Sequence, residues 1–514
     1  MLRRFVSPIL AAFAIPALAA GVVAPVFASG ASTPFALSGI AAETRQPSTA
    51  SLPANSGARY QPAAQVTGSI RVGNNIDVIS SHDVTQQAVI NGVSVKTCNS
   101  GKNTAQNETT IAANGSTLVG GTNDYRLYEP SENRYDGSGG FYVSNNGGTS
   151  WSTGFLPGLV RANLAAPGPY ESAGDPAIAA GAPGVFWYAN LAFDRTDFAN
   201  SVAVSRSTDS GRTWSTHFVV RTSAIQGTSL FNDKEWIGAD PSDPTGNTAY
   251  VTWTQFQAFS SAIVISKTTD GGVTWSAPEL VSAQFTDDQG STVLVDSNGR
   301  VFVSFETYDG SSGRDFAVVA VSTDGGASFS SKEVASIQDI PSPLPGATFR
   351  DDSFPALALD GSTLHMVWSN WNGSNADVLY MRSTDGAATW SSPATIGGGS
   401  GDQFFPWIAA RGGKVFATWF NRAGGDDSYT IAGASSSTAG SNWSAPVTVS
   451  SATSNVLSGN QFQFPSCLYS FIGDYNAITV DSSGVAHALW TDIRNNTFDG
   501  SGGADQDAFT ATLS

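Results

Sequence analysis

Short apolar stretches separated by turn residues recur along this chain with the same order of hydrophobic and polar positions. An apolar run is followed by a turn rich in Gly, Asp and Asn, and then by a second apolar run that ends near an aromatic residue. Runs of about four to eight such residues bounded by turn residues are typical of β-strands. Seven hairpins follow this pattern, and they begin at Glu108, Asp175, Glu235, Gly290, Phe354, Phe405 and Tyr475. No long stretch has the period of a sizeable helix, so the pattern predicts an all-β chain.

A turn motif of the form Ser/Thr-x-Asp-x-Gly-x-Thr-Trp follows six of these hairpins. Its copies begin at Ser144, Ser207, Thr268, Ser322, Ser383 and Ser436, with spacings of 63, 61, 54, 61 and 53 residues. The Asp carboxylate can cap backbone N–H groups of its own loop, and glycine accepts a positive φ without steric cost. A regular repeat that contains several short strands is typical of a radial array of small antiparallel sheets.

The motif resembles the Asp-box, or BNR, repeat of sialidases and related β-propellers, as in STDSGRTW from Ser207 and TTDGGVTW from Thr268. This resemblance runs through most of the chain after its N-terminal region. It implies a propeller with the boxes on its outer rim, so the boxes imply a fold and not catalysis. Sialidases use three arginines for the substrate carboxylate, a Tyr/Glu nucleophile pair and an Asp acid/base. The Phe/Tyr-Arg-Ile-Pro motif that precedes their first box is absent here, and no sialidase residue is transferred to this chain.

Seven hairpins against six boxes predict a seven-bladed β-propeller, with a six-bladed sialidase-type propeller as the alternative. After the seventh hairpin only one strand remains, in residues 508–513. We expect residues 65–90 to supply the missing outer strand of the last blade and so to close the ring. Cys98 and Cys467 precede the first and seventh hairpins. In a chain that leaves the cytosol, these cysteines are expected to form a disulfide that locks the closure.

The N-terminus has the pattern of a secretory signal peptide, because Arg3 and Arg4 precede an apolar run with small residues near Ala28. Residues 1–28 are predicted to be that peptide, residues 29–64 a flexible Ala/Ser/Pro-rich leader, and residues 65–514 one propeller domain. The mature protein is expected to be secreted and monomeric, without membrane attachment. A net charge of −17 over 514 residues disfavours binding to nucleic acids. The expected partner is a glycan or glycoconjugate.

Ligands of such folds usually bind at a mouth, here the end of the ring where inner strands begin and second strands end. Carboxylates crowded into a cleft have separated pKa values, as general acid/base chemistry at a glycosidic bond requires. The candidate catalytic residues at these positions are Asp474, Tyr475, Asp352 and Glu235. Arginines can hold a sugar carboxylate, and indole rings can stack on sugar faces. The candidate substrate-binding residues are Arg126, Arg195, Arg350, Arg422, Arg494, Trp236 and Trp371.

A structural interpretation of the same residues is the alternative, in which arginines pair with neighbouring carboxylates and hold the blade mouths together. His365 and His487 stand where other hairpins have packed aromatic residues, so both are expected in the core. No Zn-type ligand spacing is present. The GGADQDAF run around Asp505 offers oxygen ligands for Ca²⁺, but a loop is the simpler interpretation. No cofactor and no metal are predicted.

The favoured hypothesis is a secreted carbohydrate-active enzyme, a sialidase-like exo-glycosidase that acts on glycans at the propeller mouth. One alternative is a non-catalytic glycan-binding or adhesion propeller, which the missing arginine motif favours. Another is a polysaccharide lyase, with Tyr475 or Tyr308 as the base beside Arg494 or Arg195. Whether the chain is an enzyme at all is left open by the sequence.

Overall fold

A computed structural model describes residues 60–66, 70–79, 105–129, 134–195, 199–222, 230–257, 260–423, 425–458, 471–494 and 506–514. The strands in these ranges form seven antiparallel sheets. The innermost strand of each sheet contacts that of the next, and the innermost strands of the first and seventh sheets also contact each other. The prediction of a seven-bladed β-propeller is confirmed, and the six-bladed alternative is wrong.

The blades are numbered in chain order, and their strands are given from the channel to the rim. Blade 1 contains Gln106–Asn114, Thr117–Glu129, Arg134–Ser144 and Ser152–Phe155. Blade 2 contains Ser172–Ala180, Phe186–Phe193, Asn200–Ser207 and Ser215–Thr222. Blade 3 contains Phe231–Ala239, Ala249–Phe256, Ser261–Thr268 and Glu279–Leu280. Blade 4 contains Asp288–Val295, Val301–Asp309, Arg314–Ser322 and Ser330–Ile337.

The last three blades follow the same plan. Blade 5 contains Ala356–Asp360, Thr363–Trp371, Ala376–Ser383 and Ala394–Gly397. Blade 6 contains Asp402–Arg411, Lys414–Arg422, Ser428–Ser436 and Val447–Thr448, and the short strand Ser454–Asn455 pairs with its third strand. Blade 7 contains Ala477–Val480, Ala486–Asp492, Asp507–Leu513 and Ile76–Asp77. A 3-10 helix covers Val456–Ser458, and the described ranges contain no helix long and apolar enough to cross a membrane.

The outer strand of blade 7 comes from the opposite end of the chain. Ile76–Asp77 pairs antiparallel with Asp507–Leu513, and Ile76 lies opposite Thr510. This is the closure that the count of hairpins predicts, and it covers part of the outer edge of Asp507–Leu513. The predicted signal peptide lies outside the described residues, as do Cys98 and Cys467, the residues of the predicted disulfide.

The segment that precedes this strand is tied to two further blades. The Ala63 amide donates to the Thr395 carbonyl of blade 5 (2.8 Å), and the Val66 amide donates to the Trp443 carbonyl of blade 6 (3.0 Å). The side chain of Asn75 donates to the backbone of blade 6 at 3.0 Å. The N-terminal segment therefore links blades 5, 6 and 7 along the outside of the ring.

The repeated turn joins the third and outer strands of a blade, as the copy around Asp270 illustrates. The Thr274 amide and hydroxyl donate to the Asp270 carboxylate at 2.9 and 2.6 Å. Gly272 has a φ of 86°, and the Trp275 indole donates to its carbonyl at 3.2 Å. The hydrogen bonds from Thr274 lower the pKa of Asp270 to about 2. The capping role predicted for these carboxylates is confirmed, and it is a structural role.

The two histidines of the second strands are buried in the blades. His365 is 0% exposed and lies 2.8 Å from the Tyr380 hydroxyl through Nδ1. Burial lowers the pKa of His365 to about 4. His487 is 2% exposed and lies 3.0 Å from the Asp481 carboxylate through Nε2. The interpretation of both as core residues is confirmed.

Candidate active site

A β-bulge at the same place in five inner strands redirects one residue per blade. The bulges lie between Asn107 and Thr110, Gly174 and Ala177, Asp233 and Trp236, Gln289 and Thr292, and Phe404 and Trp407. The residues with positive φ in these bulges are Glu108, Asp175, Lys234, Gly290 and Phe405. A left-handed conformation costs a non-glycine residue about 1–2 kcal/mol. Bulges re-aim side chains and are frequent beside active sites, and here three of them place charged residues at the mouth.

Blade 4 carries no side chain at its bulge, because the next blade occupies that space. A Cβ atom added to Gly290 would lie 2.4 Å from the ring of Phe354. Phe354 stands at the corresponding place, just before the inner strand of blade 5. The charged bulge residues are consequently confined to blades 1, 2 and 3.

An ion pair crosses the mouth from blade 5 to blade 7. Arg350 Nε donates to Asp474 Oδ1 at 2.7 Å, and a second guanidinium nitrogen donates to Oδ2. The side chains of Arg350 and Asp474 retain 26% and 15% exposure, so the pair borders solvent. The guanidinium also lies 4.9 Å from the ring centre of Phe471.

Asn123 of blade 1 connects the Glu108 carboxyl with the backbone of Asp175 in blade 2. Its Nδ2 donates to Glu108 Oε2 at 2.8 Å, and its Oδ1 accepts from the Asp175 amide at 2.8 Å. Glu108 and Asp175 are only 1% and 7% exposed. We call Glu108, Asp175, Lys234, Arg350, Asp352 and Asp474 the hub cluster, because charges within this set shift the pKa values of Glu108, Asp175 and Asp352.

Burial is the main cause of the raised pKa values in the hub cluster. It raises the pKa of Glu108 well above its usual range, and the Asp175 and Asp474 carboxylates add to this rise. Burial also raises the pKa of Asp175, but the Lys234 ammonium opposes that rise. The pKa of Asp352 is raised well above its usual range by burial and then by Asp474. The cluster therefore contains carboxyl groups, those of Glu108 and Asp352, that keep their protons at pH values where an exposed carboxyl group would be ionised.

Three aromatic rings from blades 3, 6 and 7 contact one another at the centre of the ring. The ring centres of Trp236 and Trp407 are 4.6 Å apart, and that of Tyr475 lies 5.9 and 6.2 Å from them. The Tyr475 hydroxyl donates to the Pro176 carbonyl at 3.2 Å. Lys234 Nζ lies 3.6 Å from the Tyr475 ring centre, an arrangement that stabilises the ammonium. The hub cluster thus lies against an aromatic floor formed by these three rings.

A small pocket between blades 1 and 2, with a cavity volume of about 20 Å³, borders Glu108 and Asp175. Its lining combines two acids, polar groups, aromatic rings and one arginine: Glu108, Asn123, Tyr125, Ser172, Ala173, Gly174, Asp175, Phe193, Arg195 and Phe471. Binding pockets commonly combine apolar walls with a few convergent polar groups. We therefore take this pocket, together with the hub cluster, as the candidate active site.

Two of the four candidate catalytic residues are partly exposed, and the other two are buried. Asp352 and Asp474 are partly exposed members of the hub cluster. Tyr475 is 3% exposed and forms part of the aromatic floor. Glu235 is completely buried, and burial followed by the charge of Asp175 raises its pKa well above its usual range.

Of the candidate substrate-binding residues, Arg350 belongs to the hub cluster and Arg195 lines the pocket. Arg195 pairs with Asp136 of blade 1 at 2.5 and 2.7 Å. Trp236 is 7% exposed within the aromatic floor. Trp371 is partly buried, and its amide donates to the Gln338 carbonyl at 2.7 Å.

The other three candidate arginines are held by carboxylates of their own blades. Arg126 pairs with Asp124 at 2.6 Å, Arg422 with Asp402 at 2.8 Å, and Arg494 with Asp492 at 2.7 Å. Arg494 also donates to Asn75 of the N-terminal segment at 2.9 Å. These contacts agree with the structural interpretation that the sequence left open.

Glu108, Asp175 and Lys234 were not chosen as candidates from the sequence. An alignment of the starts of the hairpins could have identified them, because Glu108, Asp175 and Lys234 occupy the same position in their hairpins as Tyr475, which was chosen as a candidate. What the alignment could not reveal is the positive φ that redirects their side chains. Glu306, Asp315 and Asp339 bring carboxylate oxygens within 4.8 Å of one another, a spacing that would suit a metal ion.

Comparison with known proteins finds similar folds at low sequence identity. A phage phi92 endosialidase aligns with a TM-score of 0.43 and 10% identity, over 79% of this chain and 66% of its own. A mutant α-L-arabinofuranosidase from Fusarium graminearum, in complex with an iminosugar inhibitor, gives 0.42 and 12% over 64% and 92%. A Trypanosoma rangeli sialidase mutant displaying trans-sialidase activity gives 0.39 and 16% over 67% and 54%. No protein-family model and no curated protein matches the sequence.

Proposed function

We propose that this protein is a secreted glycoside hydrolase whose reaction takes place in the pocket between blades 1 and 2. The observation that carries the proposal is the pair Glu108 and Asp175, which line one pocket and are connected through Asn123. Glycosidic bond cleavage commonly needs one protonated and one ionised carboxyl group near the same bond. Two carboxyls whose environments shift their pKa values differently meet that requirement.

Glu108 is assigned the role of general acid. Burial and neighbouring carboxylates raise the pKa of Glu108 well above its usual range, so the proton needed by the leaving oxygen is retained. The Asn123 amide donates to Glu108 Oε2 at 2.8 Å, which fixes the orientation of the carboxyl group. Asp175 is assigned the role of the ionised partner: burial raises its pKa too, but the Lys234 ammonium opposes that rise more than any other group does.

The proposal does not specify sialic acid as the substrate. A sialidase needs three arginines around one sugar carboxylate, whereas Arg126, Arg422 and Arg494 are each paired within their own blades. A lyase would need a tyrosine base, but the Tyr475 hydroxyl donates to the Pro176 carbonyl and burial raises its pKa well above its usual range. The second candidate function is glycan binding without catalysis, which is favoured by the ion pair that occupies Arg350.

The test is turnover of a panel of aryl glycosides by the wild-type protein and by Glu108→Gln and Asp175→Asn. We expect each substitution to reduce kcat by about 100-fold or more. The loss in Glu108→Gln should be smaller for a dinitrophenyl leaving group, which needs little protonation. Asp296→Asn, in a turn of blade 4, serves as the control with unchanged kcat. Sugar binding without turnover in the wild type would support the non-catalytic alternative, and full activity in Glu108→Gln would remove Glu108 from the mechanism.

A further inference from the structure

Three carboxyl groups that do not line the pocket converge at blade 4. Glu306 lies in the second strand of this blade, Asp315 lies in the third, and Asp339 follows the outer strand. Each offers a carboxylate oxygen, and these oxygens lie within 4.8 Å of one another. Glu306 and Asp315 are each only 4% exposed. Buried carboxylates at this spacing repel one another unless a positive group compensates them, and a metal ion is one such group.

Gln289 faces the same place from the inner strand of blade 4. In the strand register Gln289 lies directly opposite Glu306, and Asp315 lies opposite Tyr308. Directly opposite residues of antiparallel strands share a face of the sheet, as do alternate residues of one strand, such as Glu306 and Tyr308. The side chains of Gln289, Glu306 and Asp315 therefore project from the same face of blade 4.

The amide oxygen of Gln289 is a second and independent sign of a ligand. Gln289 is 8% exposed, and its Oε1 atom is buried and accepts no hydrogen bond from any described residue. The residue just before the bulge of blade 1, Asn107, has its amide oxygen satisfied by a hydrogen bond from Asn123 at 3.1 Å. A buried acceptor without a donor is costly, and a cation beside Gln289 Oε1 would remove that cost.

The chemistry of these donors selects the class of metal. Carboxylate and amide oxygens are hard ligands that suit Ca²⁺ and Mg²⁺, whereas Zn²⁺ and Cu²⁺ sites usually contain histidine or cysteine. Mg²⁺ usually keeps several of its waters and is rarely enclosed by protein ligands alone. Ca²⁺ takes about six to eight oxygens in a flexible geometry and accepts side-chain amides. A largely buried set of carboxylate and amide oxygens therefore fits Ca²⁺ best.

We propose that blade 4 binds one Ca²⁺ ion through four side chains, those of Gln289, Glu306, Asp315 and Asp339. The site is separate from the pocket of the proposed hydrolase, and its role is structural. Its ligands are spread over residues 289–339, so no local motif predicts it. The ion would join the inner, second and third strands of blade 4 to the segment that follows the outer strand.

That segment leads toward the channel mouth. Ile340, the residue after Asp339, donates its amide to Ser353 Oγ at 3.1 Å. Ser353 in turn directly follows Asp352 of the hub cluster. A Ca²⁺ ion that holds Asp339 would therefore brace the connection that carries Asp352.

The experiment uses the full chain, freed of divalent ions with EDTA, and the metal ions alone as probes. Calorimetric titration with CaCl₂ should give saturable binding with a Kd below about 1 mM, and MgCl₂ should bind about 10-fold or more weakly. The Tm should rise as CaCl₂ is added, because the ion binds only the folded protein. Failure of CaCl₂ to bind saturably, or equal affinity for both ions, would overturn the proposal.

Two variants locate the ion, each with a control that makes the same chemical change elsewhere. Asp315→Asn should weaken Ca²⁺ binding by about 100-fold, whereas Glu333→Gln, exposed on the outer strand of the same blade, should leave it unchanged. Gln289→Met removes an oxygen without a change of charge and should weaken binding by about 10-fold. Gln255→Met, in the second strand of blade 3, should have no effect.

The outcomes separate this site from the proposed function. Unchanged Ca²⁺ affinity in Asp315→Asn or in Gln289→Met would overturn the assigned site, and the wild-type titration decides the proposal even if a variant does not fold. Saturable Ca²⁺ binding without turnover of any glycoside supports the metal site and counts only against the hydrolytic function.

Discussion

Arg350 and Asp474 form a two-point ion pair across the channel mouth, although 124 positions separate them in the sequence. One residue precedes blade 5 and the other precedes blade 7, so the pair joins blades that are not neighbours in the ring. It borders the acids Glu108, Asp175 and Asp352, whose pKa values are affected by Asp474. The pair is thus both a cross-brace of the ring and a part of the candidate active site.

Replacing Arg350 by Met should destabilise the protein by about 2 kcal/mol, since a partly buried carboxylate loses its partner. Urea unfolding measures this change. Arg350→Lys should recover only part of the loss, because an ammonium cannot make the two parallel hydrogen bonds of a guanidinium. A double-mutant cycle with Asp474→Asn should give a clear coupling energy, and additive effects would contradict the pair as a source of stability.

Gly290→Ala should be markedly more destabilising than the same change at Gly115. Both glycines have a positive φ, of 70° and 66°, but only at Gly290 would the new Cβ atom meet a neighbour, the Phe354 ring at 2.4 Å. We expect a loss of about 1 kcal/mol at Gly115 from backbone strain alone. The steric conflict should add about 1–3 kcal/mol at Gly290. Denaturant unfolding of the two variants gives the comparison, and equal losses would argue against close packing at blade 4.

Asn75→Ala should weaken the closure of the ring by about 1–3 kcal/mol, because it removes three hydrogen bonds that hold the N-terminal segment to the blades. The Asn75 amide oxygen accepts from Ser451 and from Arg494 at 2.5 and 2.9 Å, and its nitrogen donates to Val449 at 3.0 Å. Thermal unfolding of the variant measures the loss. Asn145→Ala, on an exposed rim turn, is the matched control with little expected change, and a similar change in both variants would contradict a role for Asn75 in closure.

Asp288 should make the protein less stable as the pH rises. Burial raises the pKa of Asp288 to about 7, and the nearby Ser282 and Thr307 side chains offset only part of this rise. The folded state therefore binds more protons than the unfolded state between the ordinary pKa of an aspartate and about 7, and stability falls with rising pH in that window. Asp288→Asn should remove this slope and be more stable than the wild type at pH 8 by about 2–4 kcal/mol.

The measurement is the free energy of unfolding of the wild type and the variants from pH 2 to pH 8. Asp270→Asn is a control of opposite sign, because hydrogen bonds from Thr274 lower the pKa of Asp270 to about 2. The stability that Asp270 contributes is present above the ordinary pKa of an aspartate and is lost as the pH falls toward 2. Parallel pH profiles for the wild type and Asp288→Asn would contradict the shifted pKa.

The number of blades was predictable from the sequence because the signals for strands and turns are local. A turn such as that of Asp270 is stabilised by residues within four positions, Thr268 and Thr274 among them. The same holds for Arg126, which pairs with Asp124 two positions earlier. The pattern of seven hairpins and six turns was therefore sufficient to predict a seven-bladed ring.

The composition of the candidate active site was decided only by the tertiary structure. In the folded ring Glu108 lies near Asp175, and Arg350 pairs with Asp474. Tyr475 packs against Trp236 in the aromatic floor. The charge of these residues can be read from the chain, but their neighbours and their burial cannot. Burial and neighbouring charges set the pKa values of these residues. The sequence therefore determined the seven-bladed propeller and the kinds of residues near its axis. Only the closed ring determined which of these residues lie close enough to act together.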